Sequence, residues 1–124
     1  MSAPAPLILL VEDDVLLRDA FRILLEAEGY RVVVAGTGAE ALARSERERP
    51  SLVLLDLGLP DFPGLEIARR LKAGETTAAV PIVALTGRTG PAEERACLDA
   101  GCVHYVAKPI DPRKLLEQIP YFLE

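Results

Sequence analysis

The strongest constraint on the fold of this chain is a set of short, continuously apolar runs that recur along it. The runs are rich in Leu, Ile and Val, and they lie at residues 7–11, 32–35, 52–55, 82–85 and, more weakly, 105–107. A strand with one face in water alternates apolar and polar side chains, so continuous runs of this length indicate strands that are covered on both faces. The sequence therefore predicts a parallel sheet between two layers of helices.

Stretches with helical spacing separate these runs. From Val15 to Glu28 the apolar side chains fall on one stripe, and Gly29 follows as a natural stop. The other helix signals are Thr37 with Glu40 for a helix through about Arg47, Gly64 to Ala73, Pro91, and Asp111 with Pro112. Pro120 predicts that the last helix ends or kinks near Ile119, because proline lacks the backbone N–H that a helix interior uses.

A strand followed by a helix, five times over with short connections, is typical of an open doubly wound α/β fold. The chain has 124 residues, which is the size of one domain. We therefore expect a single domain over residues 1–124, with residues 1–6 as a flexible leader.

Charge and hydropathy disfavour two classes of partner. The chain has 14 Lys and Arg residues against 19 Asp and Glu residues, and a net charge of −5 disfavours direct binding to nucleic acid. The longest strictly apolar run, residues 7–11, is far shorter than the ~18 residues that a membrane span needs. No basic segment of the kind found in signal peptides precedes that run, so we expect a cytoplasmic protein without membrane insertion.

Polar side chains follow four of the five predicted strands. They are Glu12, Asp13 and Asp14 after the first, Asp56 after the third, Thr86 after the fourth and Lys108 after the fifth. In doubly wound folds the functional site lies outside the carboxyl ends of the strands, so we expect these side chains to meet there. Carboxylates placed together repel one another unless a cation is present, and a site made of oxygen ligands suits a hard ion such as Mg²⁺ or Mn²⁺.

Carboxylates, a lysine and a threonine around a divalent ion indicate the handling of phosphoryl groups. The metal and Lys108 would neutralise the phosphoryl oxygens, Thr86 would donate a hydrogen bond to one of them, and an ionised aspartate would attack phosphorus in line. No residue at a strand end offers a competing Ser–His or Cys–His nucleophile.

Four motifs carry a family resemblance, and each lies at the end of a predicted strand. They are LILLVEDD, LVLLDLGLPDFPG, VALTG and YVAKP, in that order. Asp13 and Asp56 are 43 residues apart, Asp56 and Thr86 are 30 apart, and Thr86 and Lys108 are 22 apart. From Leu7 to about Ile119 the chain resembles the receiver domains of two-component response regulators, a CheY-like family. The resemblance implies a flavodoxin-like sheet of five parallel strands in the order 2-1-3-4-5, with five helices.

The resemblance also implies a phosphoacceptor and a metal site. Asp56 matches the aspartate that accepts the phosphoryl group. Glu12 and Asp13 match the acidic pair that, with Asp56, binds Mg²⁺, and Gly58 falls where the family supplies a further ligand from its backbone carbonyl. The implied phosphodonor is a histidine kinase or a histidine phosphotransfer protein.

The remaining matched positions concern the response to phosphorylation. Thr86 matches the switch hydroxyl, Tyr105 the aromatic side chain that moves inward with it, and Lys108 the lysine that contacts the phosphoryl oxygens. Lys108 and Pro109 resemble the family's cis peptide bond, which would aim the lysine into the site. The downstream target and the oligomeric state have no signal in the sequence.

Two other functions stay open beside that of a phosphorylated signalling switch. A phosphohydrolase with an aspartate nucleophile needs a second acid two residues after it, and that position is Gly58. A receiver that is never phosphorylated and serves only as an interaction module would lack a working metal site. We expect a stand-alone signalling protein rather than an enzyme or a domain of a larger chain. Asp14 is expected to cap the first helix, and Asp61 to shape the loop after the third strand.

Overall fold

Five strands alternate with five helices in the computed structural model, which describes residues 4–123. The elements are β1 (Leu7–Val11), α1 (Val15–Ala27), β2 (Arg31–Ala35), α2 (Gly38–Glu48), β3 (Leu52–Asp56), α3 (Gly64–Ala73), β4 (Ile82–Thr86), α4 (Pro91–Asp99), β5 (His104–Ala107) and α5 (Pro112–Phe122). Every predicted strand and helix is present, with strand bounds within one residue of the apolar runs.

The strands form one sheet in the order β2-β1-β3-β4-β5, and every neighbouring pair is parallel. The predicted fold class and strand order are therefore confirmed. β1, β3 and β4 are buried along their whole length, whereas the edge strands β2 and β5 are partly exposed. The most continuously apolar runs thus became the central strands, because only these are covered by helices on both faces.

Successive side chains along each strand point to opposite faces of the sheet and pack into two separate apolar cores. On one face, Ile8 and Leu10 of β1 pack with residues of α1 and α5: Phe21, Leu25, Leu115 and Ile119. On the other face, Leu9 and Val11 pack with residues of α2, α3 and α4: Ala41, Ile67 and Cys97. The sheet is therefore held between two apolar layers, and its carboxyl edge is positioned by both.

Several helix starts follow the sequence signals. The Asp14 side chain accepts hydrogen bonds from the N–H groups of Leu16 and Leu17, and Thr37 accepts one from the N–H of Glu40. Asp111 caps α5 in the same way, and Pro91 is the first residue of α4. Such side chains satisfy backbone donors that have no partner within the helix.

The predicted end of the last helix near Ile119 is wrong, because α5 continues through Pro120 to Phe122. Proline removes only one backbone donor, and this one lies in the final turn. Ile119 is buried in the core and Phe122 packs against the same layer, so tertiary packing supports the extra turn. The N–H of Leu123 donates to the carbonyl of Ile119 and closes the helix.

Of the predicted leader, residues 1–3 lie outside the described residues. The carbonyls of Ala5 and Pro6 accept hydrogen bonds from the side chain and the backbone N–H of Arg31, at 2.8 and 3.0 Å. Within residues 4–123, no helix combines the length and the apolar character needed to cross a membrane.

Substituting Leu25 tests the packing of α1 against the sheet. Leu25 is fully buried, so Leu25→Ala should lower the free energy of unfolding by about 2–5 kcal/mol through lost contacts and a residual cavity. Leu16→Ala makes the same chemical change in the same helix, at a side chain that is 83% exposed, and should change stability by less than about 0.5 kcal/mol. Urea unfolding of both variants measures the difference, and equal losses would contradict this packing.

Candidate functional site

Three carboxylates meet at the carboxyl edge of the sheet. Glu12 directly follows β1 and Asp56 ends β3, and these two strands are paired in register. Glu12 is 2% exposed and Asp56 3%, whereas Asp13 is exposed. One oxygen atom from each of the three carboxylates lies within 4.8 Å of the others. Parallel pairing explains this cluster, since neighbouring parallel strands end at the same edge.

Lys108 supplies the positive charge of the cluster. It follows β5, and its Nζ lies 2.9 Å from Asp56 Oδ1 and 3.5 Å from Glu12 Oε1. The backbone N–H of Lys108 donates to the carbonyl of Thr86 at 2.7 Å, which ties the segment after β5 to the end of β4. The peptide bond between Lys108 and Pro109 is cis, as the family resemblance implied.

Burial and mutual repulsion separate the pKa values of the two buried carboxylates. Burial and the neighbouring Asp56 raise the pKa of Glu12 from its ordinary 4.5 to about 7. Burial also opposes ionisation of Asp56, but hydrogen bonds from Glu12, from the N–H of Gly58 and from Lys108 outweigh it and hold its pKa below the ordinary value. Asp56 is therefore the ionised partner of the pair at neutral pH.

The pKa of Lys108 moves in the direction that keeps it charged. Burial favours the neutral amine, but hydrogen bonding to Asp56 and the charges of Asp56 and Glu12 hold the pKa above its ordinary value. An ionised carboxylate beside a protonated lysine is an arrangement suited to a nucleophile whose reaction brings further negative charge into the site.

A cavity of about 570 Å³ opens in front of Asp56. Its walls come from the ends of β3 and β4, the loops after β3, β4 and β5, and the first turns of α3 and α4: Asp56, Leu57, Gly58, Pro63, Gly64, Leu65, Thr86, Gly87, Arg88, Glu93 and Lys108. The N–H of Gly58 donates to Asp56 Oδ1 at 3.1 Å. Because Gly58 has no side chain, the space beside the carboxylate stays open to an incoming group.

The other predicted positions differ in how they relate to this cavity. Thr86 is only 4% exposed, and its hydroxyl donates to Glu93 at 3.4 Å while accepting from the N–H of Arg88 at 3.0 Å. Tyr105 is partly buried and packs against the core layer that contains Cys97, outside the walls of the cavity. The structure thus groups six of the seven predicted residues and places Tyr105 apart from them.

Two contributions to the site region were not foreseen from the sequence. Glu93 lines the cavity, although an acid in the first turn of a helix is ordinarily explained by the helix dipole. Asp61 does more than shape its own loop, because its carboxylate accepts from the N–H groups of Gly38 and Ala39 at 2.7 and 3.0 Å. These bonds lower the pKa of Asp61 and tie the loop after β3 to the start of α2.

Comparison with known proteins identifies relatives along nearly the whole chain. The family model described as "Response regulator receiver domain" matches residues 8–120. The polar-differentiation response regulator DivK of Brucella anthropi is 34% identical over 116 residues, which are 94% of this chain and 94% of that protein. The match to the family model includes all of the strand-end residues described above.

Solved structures agree with the sequence relatives. A CheY-like response regulator receiver domain protein from Methanospirillum hungatei superposes with a TM-score of 0.89 at 35% identity, covering 96% of this chain and 94% of that one. The receiver domain of a sensor histidine kinase from Pseudomonas aeruginosa has a TM-score of 0.87 at 33% identity, covering 96% and 98%. That structure holds a magnesium ion coordinated in its active site cleft.

The raised pKa of Glu12 predicts a pH dependence of stability in metal-free buffer. The folded protein holds this proton up to about pH 7 and the unfolded chain only to about 4.5, so folding is favoured by protonation between these values. The cost in stability of ionising the buried Glu12 carboxyl is fully present above about pH 7, and it is absent below about pH 4.5, where this carboxyl is protonated in the unfolded chain as well. We expect the stability of the protein to rise from this group when the pH falls from 8 to 5.

Urea unfolding at both pH values in the presence of a chelator measures this dependence. Glu12→Gln removes the titrating group and should flatten that part of the pH profile. Glu117→Gln, at an exposed position on α5, is the matched control and should leave the profile unchanged. An unaltered profile in the Glu12→Gln variant would show that the site does not perturb this carboxyl.

Proposed function

The chain belongs to the response regulator receiver domain family, and we propose that it is a phosphoacceptor switch of a two-component phosphorelay. Asp56 accepts a phosphoryl group from the phosphohistidine of a histidine kinase or a histidine phosphotransfer protein. One observation carries the proposal: the ionised Asp56 carboxylate faces an open cavity and is paired with Lys108 at 2.9 Å.

The transfer exchanges one bond to phosphorus for another. A carboxylate oxygen of Asp56 attacks the phosphorus atom in line, and the phosphorus–nitrogen bond of the phosphohistidine breaks as the imidazole leaves with the bonding electron pair. Lys108 stays protonated and places its ammonium group beside the oxygens that carry the negative charge. Hydrolysis of a phosphate ester requires an acid that protonates the leaving alkoxide, and Gly58 has no side chain to supply one. This favours transfer of one phosphoryl group to Asp56 over repeated hydrolysis of phosphate esters.

The acidic cluster fits a divalent cation. Two buried carboxylates and one exposed carboxylate, with ligand atoms within 4.8 Å of one another, offer the oxygen donors that Mg²⁺ or Mn²⁺ prefers. Glu12, Asp13, Asp56 and the backbone carbonyl of Gly58 would hold the ion. When bound, it supplies positive charge that offsets the charge on the phosphoryl oxygens.

Phosphorylation then shifts an equilibrium between two conformations. Thr86 donates its hydroxyl proton to a phosphoryl oxygen, and Tyr105 moves inward at the same time. The surface formed by α4, β5 and α5 changes, and with it the affinity for a partner protein. The position of Thr86 in the wall of the cavity supports its part in this change.

Labelling with a small phosphodonor tests the acceptor. Incubation with acetyl phosphate and Mg²⁺ should add one phosphoryl group per chain, seen by intact-protein mass spectrometry, and Asp56→Asn should abolish the addition because the amide is not a nucleophile. Asp99→Asn, at an exposed acid of α4, should label like the unmodified chain. Full labelling of the Asp56→Asn variant would refute the assignment, and multiple-turnover hydrolysis of phosphate monoesters would support a phosphohydrolase instead.

Metal binding gives a second, independent test. Mg²⁺ at a hundredfold excess over its Kd should raise the free energy of unfolding by about 2.7 kcal/mol, since only the folded chain assembles the ligands. Asp13→Asn should weaken binding at least tenfold because it removes one charged ligand. Asp99→Asn should not change it, and sodium chloride at equal ionic strength separates specific binding from screening. Equal stabilisation by both salts would remove the case for a metal site.

A further inference from the structure

The only proton of the Thr86 hydroxyl is already committed to a carboxylate. The hydroxyl donates to Glu93 Oε1 at 3.4 Å and accepts from the N–H of Arg88 at 3.0 Å. A threonine hydroxyl has one proton and donates to one acceptor at a time. Thr86 therefore engages any other acceptor only by releasing Glu93.

Glu93 faces the same cavity as the proposed phosphoacceptor. It lies in the first turn of α4 and forms part of the wall that Asp56 and Lys108 also line. A phosphoryl group on Asp56 adds negative charge to this cavity and brings oxygens that compete for the Thr86 proton. The bond to Glu93 is long and hence weak, and repulsion between the two anions further disfavours it.

The first turn of α4 has little else to hold it. Cys97 is the only buried residue of this helix, and the N-cap residue Gly90 makes no side-chain hydrogen bond. Among residues 4–123, the bond from Thr86 to Glu93 is the one side-chain hydrogen bond that joins α4 to the rest of the protein.

The other end of α4 is anchored by its backbone and by the core. The N–H groups of Gly101 and Cys102 donate to the carbonyls of Leu98 and Cys97, both at 3.0 Å, and the two cysteines lie in the core. The helix is thus anchored at its carboxyl end, and at its amino end a single side-chain hydrogen bond, beside the site, joins it to the rest of the described residues.

We propose that Glu93 is a positioning residue that holds the Thr86 hydroxyl in the unphosphorylated protein, and that a phosphoryl group on Asp56 takes over this hydroxyl and so releases the first turn of α4. The proposal rests on the proposed function, and it names the contact through which the state of Asp56 reaches the surface of α4. Only hydrogen bonds are exchanged: Thr86 gains a phosphoryl oxygen as acceptor and loses Glu93.

Hydrogen exchange of the α4 amides of residues 94–98 tests the contact in the unphosphorylated protein. Glu93→Ala and Thr86→Val should each speed exchange there. The double variant should speed it no further than Thr86→Val alone, since both changes remove the bond from Thr86 to Glu93 and only Thr86→Val also removes the acceptor of the Arg88 N–H. Glu94→Ala is the matched control, because it removes a neighbouring acid from the same first turn and so has the same effect on the helix dipole. Equal acceleration by Glu93→Ala and Glu94→Ala, or additive effects in the double variant, would overturn the proposal.

The second arm adds acetyl phosphate and Mg²⁺. In the unmodified chain, phosphorylation should speed exchange at the same amides, and in the Glu93→Ala variant it should add little because the turn is already free. Glu93→Gln keeps an acceptor of the same size but removes the charge, so it should be phosphorylated severalfold faster than the unmodified chain, while Glu94→Gln should not. Unchanged exchange in fully phosphorylated protein would overturn the proposal.

The two arms keep the two hypotheses distinguishable. If no variant and not even the unmodified chain takes up a phosphoryl group, the proposed function fails and phosphorylation is not the trigger. If Asp56 is phosphorylated normally but the Glu93 variants behave like the Glu94 controls, the proposed function stands and the role of Glu93 alone is overturned.

Discussion

The parallel pairing of β1 with β3 places two buried carboxylates side by side, and the rest of the site depends on this unfavourable contact. Glu12 and Asp56 are almost fully buried at the edge of the sheet. Burial and the neighbouring Asp56 raise the pKa of Glu12, and the repulsion between the two carboxylates makes a counter-charge necessary, which Lys108 supplies in part. The remaining negative charge makes the cluster a site for a divalent cation and for a reaction that brings in phosphoryl oxygens.

The two apolar cores make that contact possible. Three central strands are buried along their whole length, and helices on both faces hold them in register. A cluster of like charges destabilises the fold locally. The well-packed sheet keeps the carboxylates in place at its edge despite their repulsion. The moving parts of the proposed switch are Thr86 at the end of β4, Tyr105 on the edge strand β5, and α4, whose only buried residue is Cys97. The proposed acceptor Asp56 thus lies on a buried strand, whereas the response also involves β5 and α4, which are less deeply buried.

Much of the fold and of the candidate site was predictable because the signals are local. Continuous apolar runs marked the strands, and Asp14, Pro91 and Asp111 marked helix starts, because capping uses residues within one turn. The acidic cluster and Lys108 followed from the rule that parallel strands end at one edge. The end of α5 predicted from Pro120 was wrong, because the packing of Ile119 and Phe122 on the core outweighs the local preference against proline in a helix.

The sequence by itself determined the alternation of strands and helices, the fold class and the residues at the strand ends, since each depends on composition within a few consecutive positions. Only the tertiary structure decided that Asp61 accepts hydrogen bonds from the first N–H groups of α2, that Thr86 is bonded to Glu93, and that Tyr105 lies apart from the cavity. The physical reason is that these contacts join side chains from different elements, with distances and directions that no periodicity encodes. The pKa values of Glu12 and Asp56 belong to the same class, because burial and neighbours exist only in the folded chain.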